Sequence, residues 1–273
     1  MKKINLIILL ISTLFFASCE ESVNIDLDTE RPKIVIEAAI YWYKETKGNE
    51  QKIKLTTTTG FYDDEIPAVS DAIIYIKNKA NKRFNFIEIR STGEYICTDF
   101  EPVIDETYIL TIIHNGKVYK AIETLKSIVP ITKITQKDNG GLTQDKIEIR
   151  AYFNDPPNEL NYYFYTYNYS NQVAASFSAE EDRFFQGNEF FSVSNNDDLK
   201  PGDEIVINHF GISEDYYNYM IIMASIAGDG GRIPFQSPLA SIRGNIINEN
   251  DKDNFPLGYF SLSEAVTQKY TVK

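Results

Sequence analysis

The chain has 273 residues, 43 % of them hydrophobic and 24 % charged, the balance of a globular protein of one or two domains rather than a disordered one. Twenty-seven basic against 39 acidic residues give a net charge of −12, which excludes the basic surface that a nucleic-acid binder needs. Two cysteines and two histidines exclude a disulfide scaffold and a zinc cluster, and the wealth of tyrosine (18) and phenylalanine (17) over methionine (3) favours strands.

Residues 1–18 read as a signal peptide. Lys2 and Lys3 precede an apolar run from Ile4 to Ala17, broken only by Asn5, Ser12 and Thr13 and too short for a membrane-spanning helix of ~20 residues. Ala17 and Ser18 then lead to Cys19, an arrangement that resembles a bacterial lipobox, although Phe16 stands where that pattern usually has Leu. The resemblance implies that Cys19 is lipidated and becomes the first mature residue. Acyl chains contribute ~0.8 kcal/mol for each buried CH₂, so several of them anchor firmly. Glu20 and Glu21 resemble the surface-export signal of lipoproteins from Bacteroidota-type bacteria, and a solvated linker explains them equally well. The expected address is the outer membrane, lipid-anchored and facing the cell surface. Residues 19–32, polar and ending at Pro32, read as the lipidated tether.

From 33 to 128 the pattern is strand, turn, strand. Ile34–Tyr41 comes first. Lys52–Thr57 alternates with period two, and Gly60–Pro67 is an acidic loop. Ala72–Ile76 and Arg83–Ile87 follow, separated by a polar turn at Asn78–Lys82. Glu94–Thr98 is strand-like and carries Cys97, most simply a buried, inert thiol. Tyr108–Ile113 and Val118–Thr124 flank Asn115-Gly116, a strong hairpin signal. Strands at this spacing predict an immunoglobulin-like β-sandwich of ~100 residues, with Trp42 as a core anchor.

From 129 to 273 a second β-rich domain with one short helix is expected. Lys146–Phe153 presents Ile147, Ile149, Ala151 and Phe153 on one face, and Asp155-Pro156-Pro157 stops it. Tyr162–Tyr169 is a strand dense in tyrosine. Phe184–Phe191 reads as a hairpin that exposes one ring of each aromatic pair. Pro201-Gly202-Asp203 turns into Glu204–Phe210. A helix is predicted from Glu214 to Ala227, capped by Ser213, with acids in its first turn and an apolar stripe of Tyr217, Met220, Ile221 and Ala224. Gly228–Gly231 reads as a flexible turn, and residues 232–273 as loops and short strands.

Aromatics are the best candidate binding residues. Alternation puts Tyr163, Tyr165, Tyr167 and Tyr169 on one strand face, where they stack sugar rings, contact a protein, or pack beneath the helix. Tyr163, Tyr165, Tyr167, Phe185 and Phe190 are taken as the binding set, for a glycan, a peptide or a protein. The loop Asn248–Asn254 concentrates oxygen donors, with Asp251 and Asp253 as weak calcium candidates, but it lacks the glycine and terminal glutamate of an EF-hand loop. Asp63-Asp64-Glu65 and Asn195–Asp198 are weaker still. No Gly-x-Ser-x-Gly elbow and no His-Glu-x-x-His is present; His114 reads as a surface residue and His209 as a satisfied, partly buried one. No catalytic residue, metal or cofactor is assigned, and an enzyme is not expected.

Several segments together carry a family resemblance. They are Ile34–Glu37, Val69–Ile76, Gly93-Glu94-Tyr95, Tyr108–Ile112, Gly116–Ala121, Gly244-Asn245-Ile246 and Leu257–Phe260. In their order and spacing they resemble the Bacteroidota outer-membrane lipoproteins known as domain of unknown function 4249. The amino-terminal half also resembles sandwich modules of carboxypeptidase-regulatory or transthyretin type. The family resemblance implies a non-catalytic binding or accessory component of uptake through a TonB-dependent transporter; a stand-alone structural or adhesive surface lipoprotein is the alternative.

Overall fold

A computed structural model describes residues 31–60, 63, 65–141, 143–194, 196–227 and 242–273. The expected signal peptide, Cys19, the tether up to residue 30 and the turn at Gly228–Gly231 lie outside them, as do Asp64 and Asn195.

The first strands lie where the period-two pattern predicts them: β1 (Ile34–Tyr43), β2 (Gln51–Thr57), β3 (Ile73–Lys77), β4 (Arg83–Glu88), β5 (Glu94–Cys97), β6 (Thr107–His114) and β7 (Lys117–Thr124). In β2, for example, Ile53 and Leu55 are buried while Lys52 is exposed. β1, β2 and β5 form one wall, and β4, β3, β6 and β7 the other. β4 turns the corner: Phe84 and Phe86 lie opposite β3, and Ile87 and Glu88 opposite β5. Asn115 (φ 49°) and Gly116 (φ 72°) are both left-handed, as the tight hairpin between β6 and β7 requires. Between the walls Ile36, Leu55, Phe84, Tyr95 and Leu110 form a continuous core, with Trp42 packed at its margin. Tyr108 is enclosed there too, but its hydroxyl donates to Glu101 O at 2.7 Å, and burial pushes its phenol up to about 12.

The second half stacks two sheets over a different core. β8 (Lys133–Gly140), β9 (Lys146–Asn154) and β12 (Glu189–Val193) form a three-stranded sheet in the order β12-β9-β8. Facing it are β10 (Tyr162–Tyr169), β11 (Ser176–Glu181) and β13 (Glu204–Ile212). Ile149, Phe153, Tyr165 and Ile207 meet between them. The one α-helix among the described residues, α1 (Glu214–Ala227), covers the outer face of β11 and β10. Ser213 caps it, its hydroxyl accepting Tyr216 N–H at 3.3 Å. The packed stripe is Tyr216, Tyr219 and Met220, with Tyr217 at its flank, and the predicted stripe is rotated: Ile221 is exposed. The cause is aromatic. Tyr216 and Tyr219 each lie 4.8 Å from the Tyr259 ring, and Tyr216 lies 6.1 Å from Phe164.

The carboxyl-terminal segment overturns two expectations. Residues 232–273 were expected as loops and short strands within a second domain running unbroken from 129. Instead β14 (Ile247–Asn248) pairs with β7, and β15 (Leu257–Thr271) is a single 15-residue strand. Its first part runs parallel to β1, from Val35–Leu257 to Tyr43–Ala265, and places Phe260 and Leu262 in the first core. Its remainder runs antiparallel to β13, from Phe210–Ala265 to Glu204–Thr271. The two halves therefore share one strand and one twelve-stranded sheet. Two resemblance motifs meet at the start of β15. Asn245 donates its Nδ2 to Phe260 O at 2.8 Å and accepts Phe260 N–H at 2.9 Å, standing in for a neighbouring strand. Gly258 (φ 96°) lets the backbone pass Ile36, whose carbonyl oxygen would lie 2.1 Å from any Cβ there.

Where the halves join, Glu264 is buried and Lys44 Nζ approaches its carboxylate at 3.1 Å. The same carboxylate accepts Ile128 N–H at 2.9 Å, tying the connecting segment to β15.

Candidate functional site

The tyrosine row of β10 does lie on one face, but that face is inside. Tyr163, Tyr165 and Tyr167 are enclosed, Phe185 is buried with them, and Phe190 is half-buried against the same core. The expected binding set is therefore a packed core. Alternation established a common side; the β8–β9–β12 sheet decides that this side is covered. Phe185 and Phe190 do not flank a simple hairpin either. A 3₁₀ turn (Asp182–Phe184) precedes the bend, and the two rings stack at 3.7 Å.

Within this core the polar atoms are arranged in order. Tyr163 Oη donates to Asp155 Oδ1, and Asp155 Oδ2 accepts Gly187 N–H at 2.8 Å. Tyr167 Oη lies 2.6 Å from Ser192 Oγ, which lies 2.8 Å from His209 Nε2. A serine beside a histidine suggests nucleophilic chemistry, but both are buried and His209 Nδ1 has no hydrogen-bond partner in the protein to orient it. Burial pushes the imidazole down to about 3, so it is neutral at pH 7. His209 is thus fully buried and only half satisfied, beyond the partial burial expected. Cys97 is buried, and its thiol is pushed up to about 11, far from a reactive thiolate.

Among the described residues no group of three or more His, Cys, Asp or Glu is placed to hold a metal ion. Asp251 instead closes its own turn, its Oδ1 accepting Asp253 N–H at 3.2 Å, and Asp253 is exposed.

Two hollows flank the start of α1. One, about 390 Å³, is lined by Asp215, Asn218, Tyr219, Arg243, Asn245 and Tyr259. The other, about 360 Å³, lies at the join of the two halves, and its lining includes Asp105, Lys126, Glu159, Leu160, Tyr162 and Glu214. Ser213 stands beside the second hollow and donates to the buried Glu123 carboxylate at 2.9 Å; burial holds that carboxyl above its ordinary range. At the rim Leu160 is 60 % exposed, and Phe184, at the end of the 3₁₀ turn after β11, is 91 % exposed. The two loops are held together: Asn161 N–H donates to Asp182 Oδ2 at 2.8 Å, and Gln186 Nε2 to Glu159 O at 2.7 Å. Two bulky apolar groups presented beside a carboxylate-lined hollow suit a protein or peptide contact better than bond-making chemistry. Sequence reading reached Phe184 as one of a pair without knowing which ring faces out, and it passed over Leu160, which no periodic pattern marks.

The sequence matches a family model described as a domain of unknown function, DUF4249, over residues 20–269. No curated protein matches it. Among solved structures it is similar to a two-fibronectin-type-III-domain segment of chicken tenascin, at 11 % identity over 67 % of this chain and 91 % of that one, with a TM-score of 0.22. It is similar also to the FN1–FN3 domains of chicken CNTN1, at 14 % identity over 65 % and 62 % with a TM-score of 0.26. A DUF4785 family protein from Legionella pneumophila follows at 6 % identity over 66 % and 51 %, with a TM-score of 0.25. The family match spans almost everything after the expected signal peptide, and the chain is a member of the DUF4249 family.

Proposed function

We propose that this protein is a lipid-anchored, surface-facing outer-membrane protein that binds rather than catalyses, serving as an accessory to a TonB-dependent transporter. The anchor rests on Cys19 at the end of the amino-terminal apolar run, and the transporter on the family resemblance. No described helix is long and apolar enough to cross a membrane. The observation that carries the binding reading is the exposed pair Leu160 and Phe184 beside the acidic hollow, in a molecule whose Ser192–His209 pair is sealed in a core. Asp105, Glu159 and Glu214 make that hollow unfavourable to anionic ligands.

The test is recovery of partners from detergent-solubilised outer membrane with the lipidated protein tagged at its carboxyl end. A transporter is expected at near-stoichiometric yield. Leu160→Ser with Phe184→Ser should abolish its recovery without lowering the melting temperature, since neither side chain supports the core. Undiminished recovery would remove these residues as anchors, and no transporter at all would turn the reading toward a stand-alone surface adhesin.

A further inference from the structure

The first sandwich has two ends, and they differ. The chain comes in at one of them, where Lys33 N–H donates to Thr58 Oγ1 at 2.9 Å and Thr58 N–H to Lys33 O at 2.9 Å. β2, β4 and β6 finish at this end and β3, β5, β7 and β15 begin there, as the pairings of the sheet require. The other end leads into the second half, which starts after nine residues of β15 have run alongside β1, or roughly 26 Å at ~3.3 Å per residue.

The end where the chain comes in carries an outward apolar rung. Ile73 lies opposite Ile113, and Ile113 opposite Val118. Ile87 follows Phe86, the partner of Ile74, and lies opposite Ile96 of β5. All four point away from the core, which takes Ile74, Phe86, Ile112 and Tyr119 instead. Ile87 is 70 % exposed and Ile73 54 %. Ile66, 66 % exposed, stands beside Pro67, whose carbonyl accepts Thr57 N–H next to the incoming chain. The next rung inward is polar, with Asn85, Tyr75, Thr111 and Lys120 in register. Successive rungs are ~7 Å apart, so the apolar rim is about as deep as the 5–10 Å by which interfacial apolar faces enter a bilayer. Ile109 and Ile122 pair on the rung after that, beyond this depth.

We propose that this rim, with Ile87, Ile73, Ile113 and Val118 as its contact row, seats on the lipid surface and that the second half is thereby held away from the membrane. The proposal rests on lipidation of Cys19. Eleven residues lie between Cys19 and Arg31, a reach of at most ~40 Å, so the chain's point of entry, beside this rim, is tied to within that distance of the lipid. A short tether raises the local concentration of lipid to the millimolar range, which fills a contact too weak to hold by itself.

The test uses the full lipidated protein in vesicles of phosphatidylethanolamine and phosphatidylcholine with brominated acyl chains. A fluorophore is attached through Ile73→Cys, Ile87→Cys or, as the distant control, Phe184→Cys; buried Cys97 stays unlabelled. Bromolipid should cause loss of fluorescence at 73 and 87 and none at 184. Equal loss at all three positions overturns the proposal. So does quenching of 73 and 87 by aqueous iodide as complete as at 184, and so does shielding from iodide without bromolipid quenching, which marks a protein occupant instead. Flotation of the unlabelled protein with the vesicles reports the anchor separately. A chain that floats with 73 and 87 unquenched loses the seating alone; one that does not float loses the anchor and the seating together.

Discussion

Tyrosine-to-phenylalanine changes along β10 remove the same atom from one core at three positions and should give different signs. Tyr163 Oη is bonded to the buried carboxylate of Asp155, and Tyr167 Oη to Ser192. Tyr165 Oη has no hydrogen-bond partner in the protein, although its residue is 0 % exposed. Deleting a bonded hydroxyl strands its partner at a cost of ~1–3 kcal/mol, toward the upper figure at Tyr163 because the stranded acceptor is a carboxylate. At Tyr165 deletion removes a desolvated hydroxyl and keeps the ring, 4.5 Å from His209 and 6.1 Å from Phe153, so Tyr165→Phe is expected to be neutral or stabilising by up to ~2 kcal/mol. Tyr165→Ala, which empties a fully buried site, should cost ~3–5 kcal/mol. Urea unfolding followed by near-ultraviolet circular dichroism reads all four variants. The expected order of stability is Tyr165→Phe at or above the unsubstituted protein, then Tyr167→Phe, then Tyr163→Phe. A loss at Tyr165→Phe as large as at Tyr163→Phe would falsify the reasoning.

Acid should destabilise the protein through His209. Its folded pKa, held down to about 3 by burial, lies below the ordinary 6.5, so the unfolded chain binds a proton that the folded one refuses. Its share of stability is intact above pH 6.5 and declines as pH falls toward 3, by ~1.4 kcal/mol per unit or ~2 kcal/mol at pH 5. His209→Leu leaves Tyr167 bonded to Ser192 and should flatten the change between pH 7 and pH 5; identical slopes would sink the assignment, since the carboxylates are common to both proteins. Gly258→Ala forces a Cβ to within 2.1 Å of Ile36 O and should prevent folding or lower the melting temperature severely, whereas Gly116→Ala, also left-handed but open, should cost only ~1–2 kcal/mol. Similar losses at both would show that the close approach at β1 is not real. Glu264→Ala leaves Ile128 N–H buried without an acceptor and should cost ~2–3 kcal/mol, whereas Lys44→Met, at a partly exposed partner, should cost less than ~1 kcal/mol. Unfolding midpoints decide, and equal costs would contradict the buried hydrogen bond as the larger part.

The strands of the first half were legible because each buries one face only, and a half-buried strand prints its period on the sequence. The helix was legible from Ser213 and the acids after it, but its rotation was not, because the deciding ring, Tyr259, lies some 40 residues further along the chain. β15 was hidden by its own composition. Ser261, Ser263 and Glu264 read as loop residues, yet all are buried, because both faces of this strand are covered, Phe260 and Leu262 packing in the first core and Tyr259 and Ala265 in the aromatic cluster with Tyr216. The binding face went astray for a related reason. Local alternation at Tyr163, Tyr165 and Tyr167 fixes which residues stay together, whereas which side is wet depends on β9 and β12, which pair with each other in a separate sheet. The exposed Leu160 and Phe184 carry no periodic signal at all.

Sharing β15 between the two halves bears on how the protein is made. Of the two partners of β1, β15 is separated from it by more than 200 residues, so the first sandwich stays unfinished, with one side of β1 an open edge, until β15 has been made. A chain built this way gains little from folding piece by piece as it emerges, and such long-range pairing is slow. Through that interval β1, with Ile36, Ala38 and Ile40 along it, is a template for pairing with other chains. Chaperone escort and loss of β15 would accordingly matter most to the half of the molecule synthesised first.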